Sequence, residues 1–366
     1  MDRARRIACI VGFAAMLPGM LYAQQPWSIG ARAHYGYLWP HHSDMLILVE
    51  GHAGAAELFM EREVKGDRPW HRAYGNPRYG VAVLFTRLAN PDHIGWCAGL
   101  MPYLTLPLLH GDHCSFGLRT AWGVGYVAKR FDRHDNTRQI AIGSRINTAI
   151  QLMPEVRYHI PGADVHAGIA LDHWSNGSFK QPNLGLNFVS LSLGASIALG
   201  KGRVGPVPEG APGIDSTSFE RPEREFLVVC SGGISEDGRP INGQRSVFVL
   251  SGEAGWRKGR KGSLACGVDI FNKGDLATTD DALNDAPRVA LTQVGVQGGG
   301  SLLAGRGELL FRMGVYVITP APDDAPVYQR FGVRYRCGKH LLAGVSLKTH
   351  FAAADHWEFG IGYRWD

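Results

Sequence analysis

The chain closes on His356-Trp357-Glu358-Phe359-Gly360-Ile361-Gly362-Tyr363-Arg364-Trp365, and the alternation in this stretch decides the fold. Trp357, Phe359, Ile361, Tyr363 and Trp365 share one face of an extended strand; His356, Glu358, Gly360, Gly362 and Arg364 share the other. A soluble sandwich strand also alternates, but four aromatics in one stripe suit a lipid-facing wall with aromatic girdles. The same dyad runs upstream. Phe331, Val333, Tyr335 and Cys337 oppose Arg330, Gly332, Arg334 and Arg336. Leu309, Phe311, Met313, Val315 and Val317 oppose Glu308, Leu310, Arg312, Gly314 and Tyr316, and Leu341, Ala343, Val345 and Leu347 oppose His340, Leu342, Gly344, Ser346 and Lys348. Arg and Glu inside such strands predict a polar lumen rather than a dry core.

Moving outward from that end, the connections alternate in length. Segments near 235–244, 273–287, 318–327 and 351–354 read as longer loops, and those near 258–261, 304–305 and 338–339 as tight turns. Long external loops and short periplasmic turns are the rhythm of outer-membrane barrels. The count is about eight strands before residue 200 and about eight after it, so roughly 14–16 in an all-β, transmembrane antiparallel barrel. A Gly/Pro-rich connection, 201–222, divides 45–200 from 223–366. One closed barrel over 24–366 is expected in preference to two small ones joined by a linker. Gly298-Gly299-Gly300 has no phosphate-loop context and reads as flexibility at a strand end.

The beginning of the chain fits export. Arg3, Arg5 and Arg6 precede an apolar run from Ile7 to Leu21, and Leu21-Tyr22-Ala23 ends it on a small residue. Residues 1–23 are therefore expected to be a cleaved secretory signal, with Pro18 breaking a run already short for a membrane-spanning helix. No later run approaches the apolar length that a helical span needs. A net charge of +5 on 366 residues suits phosphate-bearing lipids and is far from a nucleic-acid signature, so no nucleic-acid partner is expected. Cys9 leaves with the signal. Cys97, Cys114, Cys230, Cys266 and Cys337 remain, none in metal-ligand spacing. A Cys97–Cys114 disulfide is conceivable, but isolated apolar positions on strands explain all five cysteines.

One segment carries chemistry: Asp172-His173-Trp174-Ser175-Asn176-Gly177-Ser178-Phe179-Lys180-Gln181-Pro182-Asn183-Leu184-Gly185-Leu186-Asn187. Val165, Ala167, Ile169, Leu171, His173 and Ser175 share the apolar face of one strand; Asn187, Val189, Leu191, Leu193, Ala195, Ile197 and Leu199 share that of the next. A hairpin symmetric about Lys180 pairs His173 with Asn187 and Ser175 with Gly185. His173, Ser175 and Asn187 then cluster on the outer wall at the membrane edge. Such a trio needs mutual hydrogen bonds or a ligand. A Ser beside a His that a third polar group holds is the arrangement of an activated nucleophile. The competing reading is that polar residues end the strands where the membrane ends.

The segment resembles the signature of the PagL-type lipid A 3-O-deacylases, an acyloxyacyl hydrolase-like family of outer-membrane barrels that remove an ester-linked acyl chain from lipid A. That signature is a His-x-Ser-Asn run, then Lys-Gln-Pro-Asn, then a Glu. Here His173, Ser175-Asn176, Lys180-Gln181-Pro182-Asn183 and Gly185 match, with weaker similarity over about 45–200 and the C-terminal half outside it. The resemblance implies His173 as base, Ser175 as nucleophile and Asn183 at the oxyanion, with Asn176 and Gly185 beside them. It departs at one place: Asn187 stands where the family has its acid. Asp172 points to the opposite face, and Glu155 shares a polar face with Arg145, Asn147, Gln151 and Arg157. Asn can orient an imidazole but cannot neutralise an imidazolium.

The function expected from this resemblance is lipid A acyl-ester hydrolysis at the outer membrane, with lipopolysaccharide and membrane lipids as partners and no metal or cofactor. The alternative is a non-catalytic porin or structural barrel with a degenerate site. Arg330, Arg334 and Arg336 would line an anion channel or pair with carboxylates such as Glu308 and Glu358. Asp280, Asp281, Asp323 and Asp324 read as solvated loop acids rather than cation ligands. The triplets Asp172-His173-Trp174 and Asp355-His356-Trp357 read as coincidence, with His356 on a lumen face.

Overall fold

The computed structural model describes residues 26–64, 66, 68–200, 222–236, 243–279, 281–321, 325–351 and 353–365. The expected signal, nearly all of the Gly/Pro-rich connection, and Asp280, Asp323 and Asp324 lie outside them. Among the described residues, sixteen antiparallel strands form two closed barrels of eight. The first contains β1 (Trp27–Leu38), β2 (His52–Glu63), β3 (Arg78–Thr86), β4 (Cys97–His110), β5 (Cys114–Val127), β6 (Ile146–Ile160), β7 (Ala163–Ser175) and β8 (Leu186–Leu199). The second contains β9 (Arg224–Ser235), β10 (Arg245–Lys258), β11 (Gly262–Lys273), β12 (Thr292–Ala304), β13 (Gly307–Ile318), β14 (Val327–Arg336), β15 (Leu341–His350) and β16 (Ala353–Trp365).

Strand count and faces match the sequence reading; the single closure does not. β1 pairs with β8 along its whole length, from Trp27↔Leu199 to Leu38↔Phe188. The aromatic strand β16 returns to β9, from Trp365↔Phe226 to Phe359↔Gly232. Alternation reports which face a side chain takes, not which strand lies beside it. Each half therefore satisfies its own edges, the condition for a sheet to sit in lipid.

Burial is inverted along the barrel walls relative to a soluble protein, apart from an apolar cluster around Leu38, Met45, Leu84, Trp174 and Phe188. Arg32, Glu57, Glu61, Arg119, Glu155, Arg157 and His166 are buried inside the first barrel, while Leu58, Val83, Leu100, Ile169, Leu191 and Leu193 are exposed on its outside. The interior charges neutralise one another: Arg32 Nη2 lies 2.6 Å from Glu155 Oε2, and Arg119 Nη1 lies 2.7 Å from Glu57 Oε1. In the second barrel Phe311, Phe331, Phe359, Ile361 and Tyr363 face out. Arg330 lies 2.8 Å from Asp269 and also pairs with Glu358, while Arg312 and Arg334 share Glu253. Of the two roles open to the arginines, these pairs support internal neutralisation. No helix among the described residues is long and apolar enough to cross a membrane.

Two smaller expectations change. The longer loop expected over 351–354 is not found: β16 already starts at Ala353, which pairs with His350, and Phe351 after β15 takes a left-handed φ of 55°. Gly298, Gly299 and Gly300 lie within β12, where a Cβ on Gly299 would meet the Phe311 carbonyl oxygen at 2.1 Å. Gly299 permits close strand approach, and all three lie in regular strand rather than at a flexible strand end. The five cysteines among the described residues are free, and Cys97 and Cys114 are not bonded.

Candidate active site

The connections 39–51, 87–96, 128–145 and 176–185 lie at one end of the first barrel, opposite the short turns 111–113 and 161–162. The candidate site is at the long-loop end, where β7 stops and β8 starts. His173 pairs with Asn187 in the β7–β8 ladder as expected. Trp174↔Leu186 is the last pair, so Ser175 does not reach Gly185; Ser175 instead faces Thr148 on β6. The reason is local. Gly185 has φ 84°, and its N–H donates to the Ala141 carbonyl of the 128–145 loop at 3.0 Å, which turns the chain off the ladder.

The alternation of β7 sends Asp172 and Trp174 inward, both buried, and His173 and Ser175 outward. Asp172 accepts from Gln151 Nε2 at 2.9 Å in the lumen, and Glu155 is bound by Arg32 and Arg157, so neither acid reaches His173. His173 Nδ1–H donates to Asn187 Oδ1 at 2.6 Å. Ser175, 7% exposed, stands two residues further along the same face. Among the described residues no hydrogen bond joins its hydroxyl to the imidazole.

The 176–185 loop is internally tied. Asn176 N–H donates to Asn183 Oδ1 at 2.8 Å. The Asn176 side chain gives Nδ2–H to the Lys180 carbonyl at 2.7 Å and accepts Lys180 N–H at 3.2 Å, closing the turn. Asn176 thus shapes the loop, and Asn183 is oriented with its carbonyl engaged and its Nδ2 amine turned away from that bond.

Three residues that the sequence reading did not connect with the site complete the surroundings; two are new to it, and the third, Trp357, was read there as part of the outward aromatic row. His41, just past β1, accepts Asn187 Nδ2–H on Nδ1 at 2.9 Å, and its Nε2 lies 3.0 Å from the Leu184 carbonyl oxygen. Glu236, at the end of β9 in the second barrel, is fully buried; it accepts Lys180 Nζ at 2.6 Å and Gln181 N–H at 2.7 Å, and its own N–H donates to the Ser178 carbonyl. Trp357 stacks on Trp122 of the first barrel at 5.7 Å and packs against Gly177, where a Cβ would sit 2.2 Å from the indole nitrogen. Ser178 O–H also donates to the Ala354 carbonyl at 2.8 Å. The second barrel therefore forms one wall of the loop between Ser175 and Asn183. Only long-range pairing brings these residues in, and no local motif marks them. No group of three or more His, Cys, Asp or Glu among the described residues is placed to hold a metal.

Residues 54–196 match the family model described as lipid A 3-O-deacylase (PagL), and residues 224–366 match that of the acyloxyacyl hydrolase C-terminal domain. None of the curated proteins matches. Among solved structures, the outer membrane enzyme PagL aligns at 17% identity and TM-score 0.32, over 46% of this chain and 99% of that one. Neisserial surface protein A aligns at 11% identity and TM-score 0.33, over 47% of this chain and 97% of that one. A triple mutant of the Rhodopseudomonas blastica porin aligns at 10% identity and TM-score 0.20, over 93% and 99%.

Proposed function

The chain belongs to the lipid A 3-O-deacylase (PagL) family of outer-membrane β-barrels, and on that premise we propose that it hydrolyses an acyl ester of lipid A with Ser175 as nucleophile and His173 as base. The observation that carries this reading is the 2.6 Å bond from His173 Nδ1–H to Asn187 Oδ1. With Oδ1 facing the ring, the proton belongs on Nδ1 and the Nε2 lone pair is left to take the proton of Ser175, which lies on the same outward face.

In the reaction, Ser175 Oγ adds to the ester carbonyl as its proton passes to His173 Nε2. The tetrahedral intermediate then expels the sugar hydroxyl, which takes that proton back. The acyl group left on Ser175 is released by water, activated by the same imidazole. The Nδ2 amine of Asn183 is the donor best set to meet the oxyanion, because its carbonyl is committed to Asn176 N–H. Asn187 orients the ring and supplies no charge, so the imidazolium formed in each step is less stabilised than beside a carboxylate. The outward placement at the mouth of the barrel suits a substrate whose ester lies at the headgroup boundary. The second barrel supports the chemistry by holding the 177–181 backbone through Glu236 and Trp357.

The test is release of free fatty acid from lipid A in mixed micelles with purified protein. The wild type is expected to release it and Ser175→Ala is not. Equal release by both would overturn the assignment.

A further inference from the structure

The amide of Asn187 lies between two imidazoles, and the bond at the far end settles the direction of every proton in the row. The Leu184 carbonyl oxygen can only accept, so His41 Nε2, 3.0 Å away, must carry a hydrogen. In a neutral His41 this makes Nδ1 an acceptor. The group facing it at 2.9 Å must then be the Asn187 NH2, which leaves Oδ1 to face His173. Oδ1 can only accept, so His173 holds its proton on Nδ1 and its lone pair on Nε2. Reversing the amide would place NH2 against His173 Nδ1, move the ring proton to Nε2 and block the nitrogen that must receive the Ser175 proton. With an asparagine in the third position, something outside the pair has to choose between the two orientations. A carboxylate has two equivalent oxygens and needs no such choice.

We propose that His41 is a positioning residue that fixes the Asn187 amide, and through it the catalytically competent tautomer of His173. The proposal rests on the hydrolase reading above and deepens it. The setting of His41 is built rather than incidental. Trp39 N–H donates to the Asn187 carbonyl at 2.8 Å, which lays the exit of β1 against β8. Met45 and Leu48, both fully buried, then anchor the short helix Ser43–Leu48 that follows. His41 is thereby held at the edge of the β7–β8 hairpin although 146 residues separate it from Asn187.

The test is a double-mutant cycle on fatty acid release from lipid A in mixed micelles, with heat-modifiable gel migration confirming assembly of each variant. His41→Ala is expected to lower kcat about 10–100-fold, the range for loss of a residue that orients a ligand or base, with KM little changed. His41→Asn, which keeps an acceptor near the Nδ1 position, is expected to recover most of that loss. In the Asn187→Glu background, His41→Ala is expected to change kcat by no more than about twofold, because a carboxylate accepts from His173 in either orientation. An equal loss in both backgrounds would give His41 a merely structural role and overturn the proposal, as would a His41→Ala variant with full activity. Ring 15N shifts separate this outcome from failure of the hydrolase reading. His173 is expected as the Nδ1–H tautomer in the wild type and as a mixture in His41→Ala. An unchanged tautomer overturns the role of His41 whatever the turnover. An Nδ1–H ring that His41→Ala disturbs, in a protein that releases no fatty acid, upholds that role and overturns the hydrolase reading alone.

Discussion

Gly185 lies directly against the His173 imidazole: a Cβ at Gly185 would stand 2.6 Å from His173 Cε1. Only a residue without a side chain permits this approach, and its φ of 84° favours glycine as well. Gly185→Ala is expected to push the ring off Asn187 while the barrel still closes, since the ladder ends before this residue. Fatty acid release should fall about 10²-fold, as expected for a displacement of about 1 Å in a catalytic group, with heat-modifiable migration retained. A fully active Gly185→Ala would show that the ring position tolerates the shift.

The third position makes a sharper distinction. Asn187→Ala removes the acceptor from His173 Nδ1 and should lower the rate. Asn187→Glu supplies a charge that stabilises the imidazolium and should raise it, after a desolvation cost that pairing with His173 offsets at the water-accessible membrane edge. Initial rates of the three proteins in the same membranes check this ordering. Equal rates would reduce the triad to a Ser175–His173 dyad.

Asn183→Ala should leave assembly intact and slow release by about 10²–10³, the loss typical of one oxyanion donor. The split between kcat and KM decides its role. A change confined to KM would place Asn183 in binding rather than at the oxyanion.

How much of this was readable before the structure follows from the range of each interaction. The outward row Trp357 to Trp365 and the paired polar interiors came from period-two alternation, which every strand carries in its own residues. The His173–Asn187 pair was readable because a hairpin places partners symmetrically about its loop. Closure was not, because the pairing of Trp27 with Leu199 leaves no mark in either segment. For the same reason His41 and Glu236 went unseen; each acts on residues far away in sequence through backbone positions that only the closed barrels define. The resemblance around His173 ends at about residue 200, whereas the match to the acyloxyacyl hydrolase C-terminal domain covers 224–366.

The buried Glu236 carboxylate ties the second barrel to the 176–185 loop of the first. Glu236→Ala removes the acceptor of Lys180 Nζ and Gln181 N–H and should loosen the loop that carries Asn183. Each barrel closes independently, so both should still assemble and migrate as heat-modifiable species. The expected result is slower release, by about 10-fold or more, from a misplaced catalytic loop. Undiminished release would mean that the second barrel does not support the site.

The most direct test of the central claim is the acylation state of lipid A in outer membranes, measured by mass spectrometry. Cells carrying the wild type, Ser175→Ala or no copy of the gene are compared, with equal amounts of assembled barrel in the first two. The account predicts that lipid A from the wild type has lost one ester-linked acyl chain, while Ser175→Ala matches cells without the gene. Identical lipid A in all three, or the same loss with Ser175→Ala as with the wild type, would contradict it.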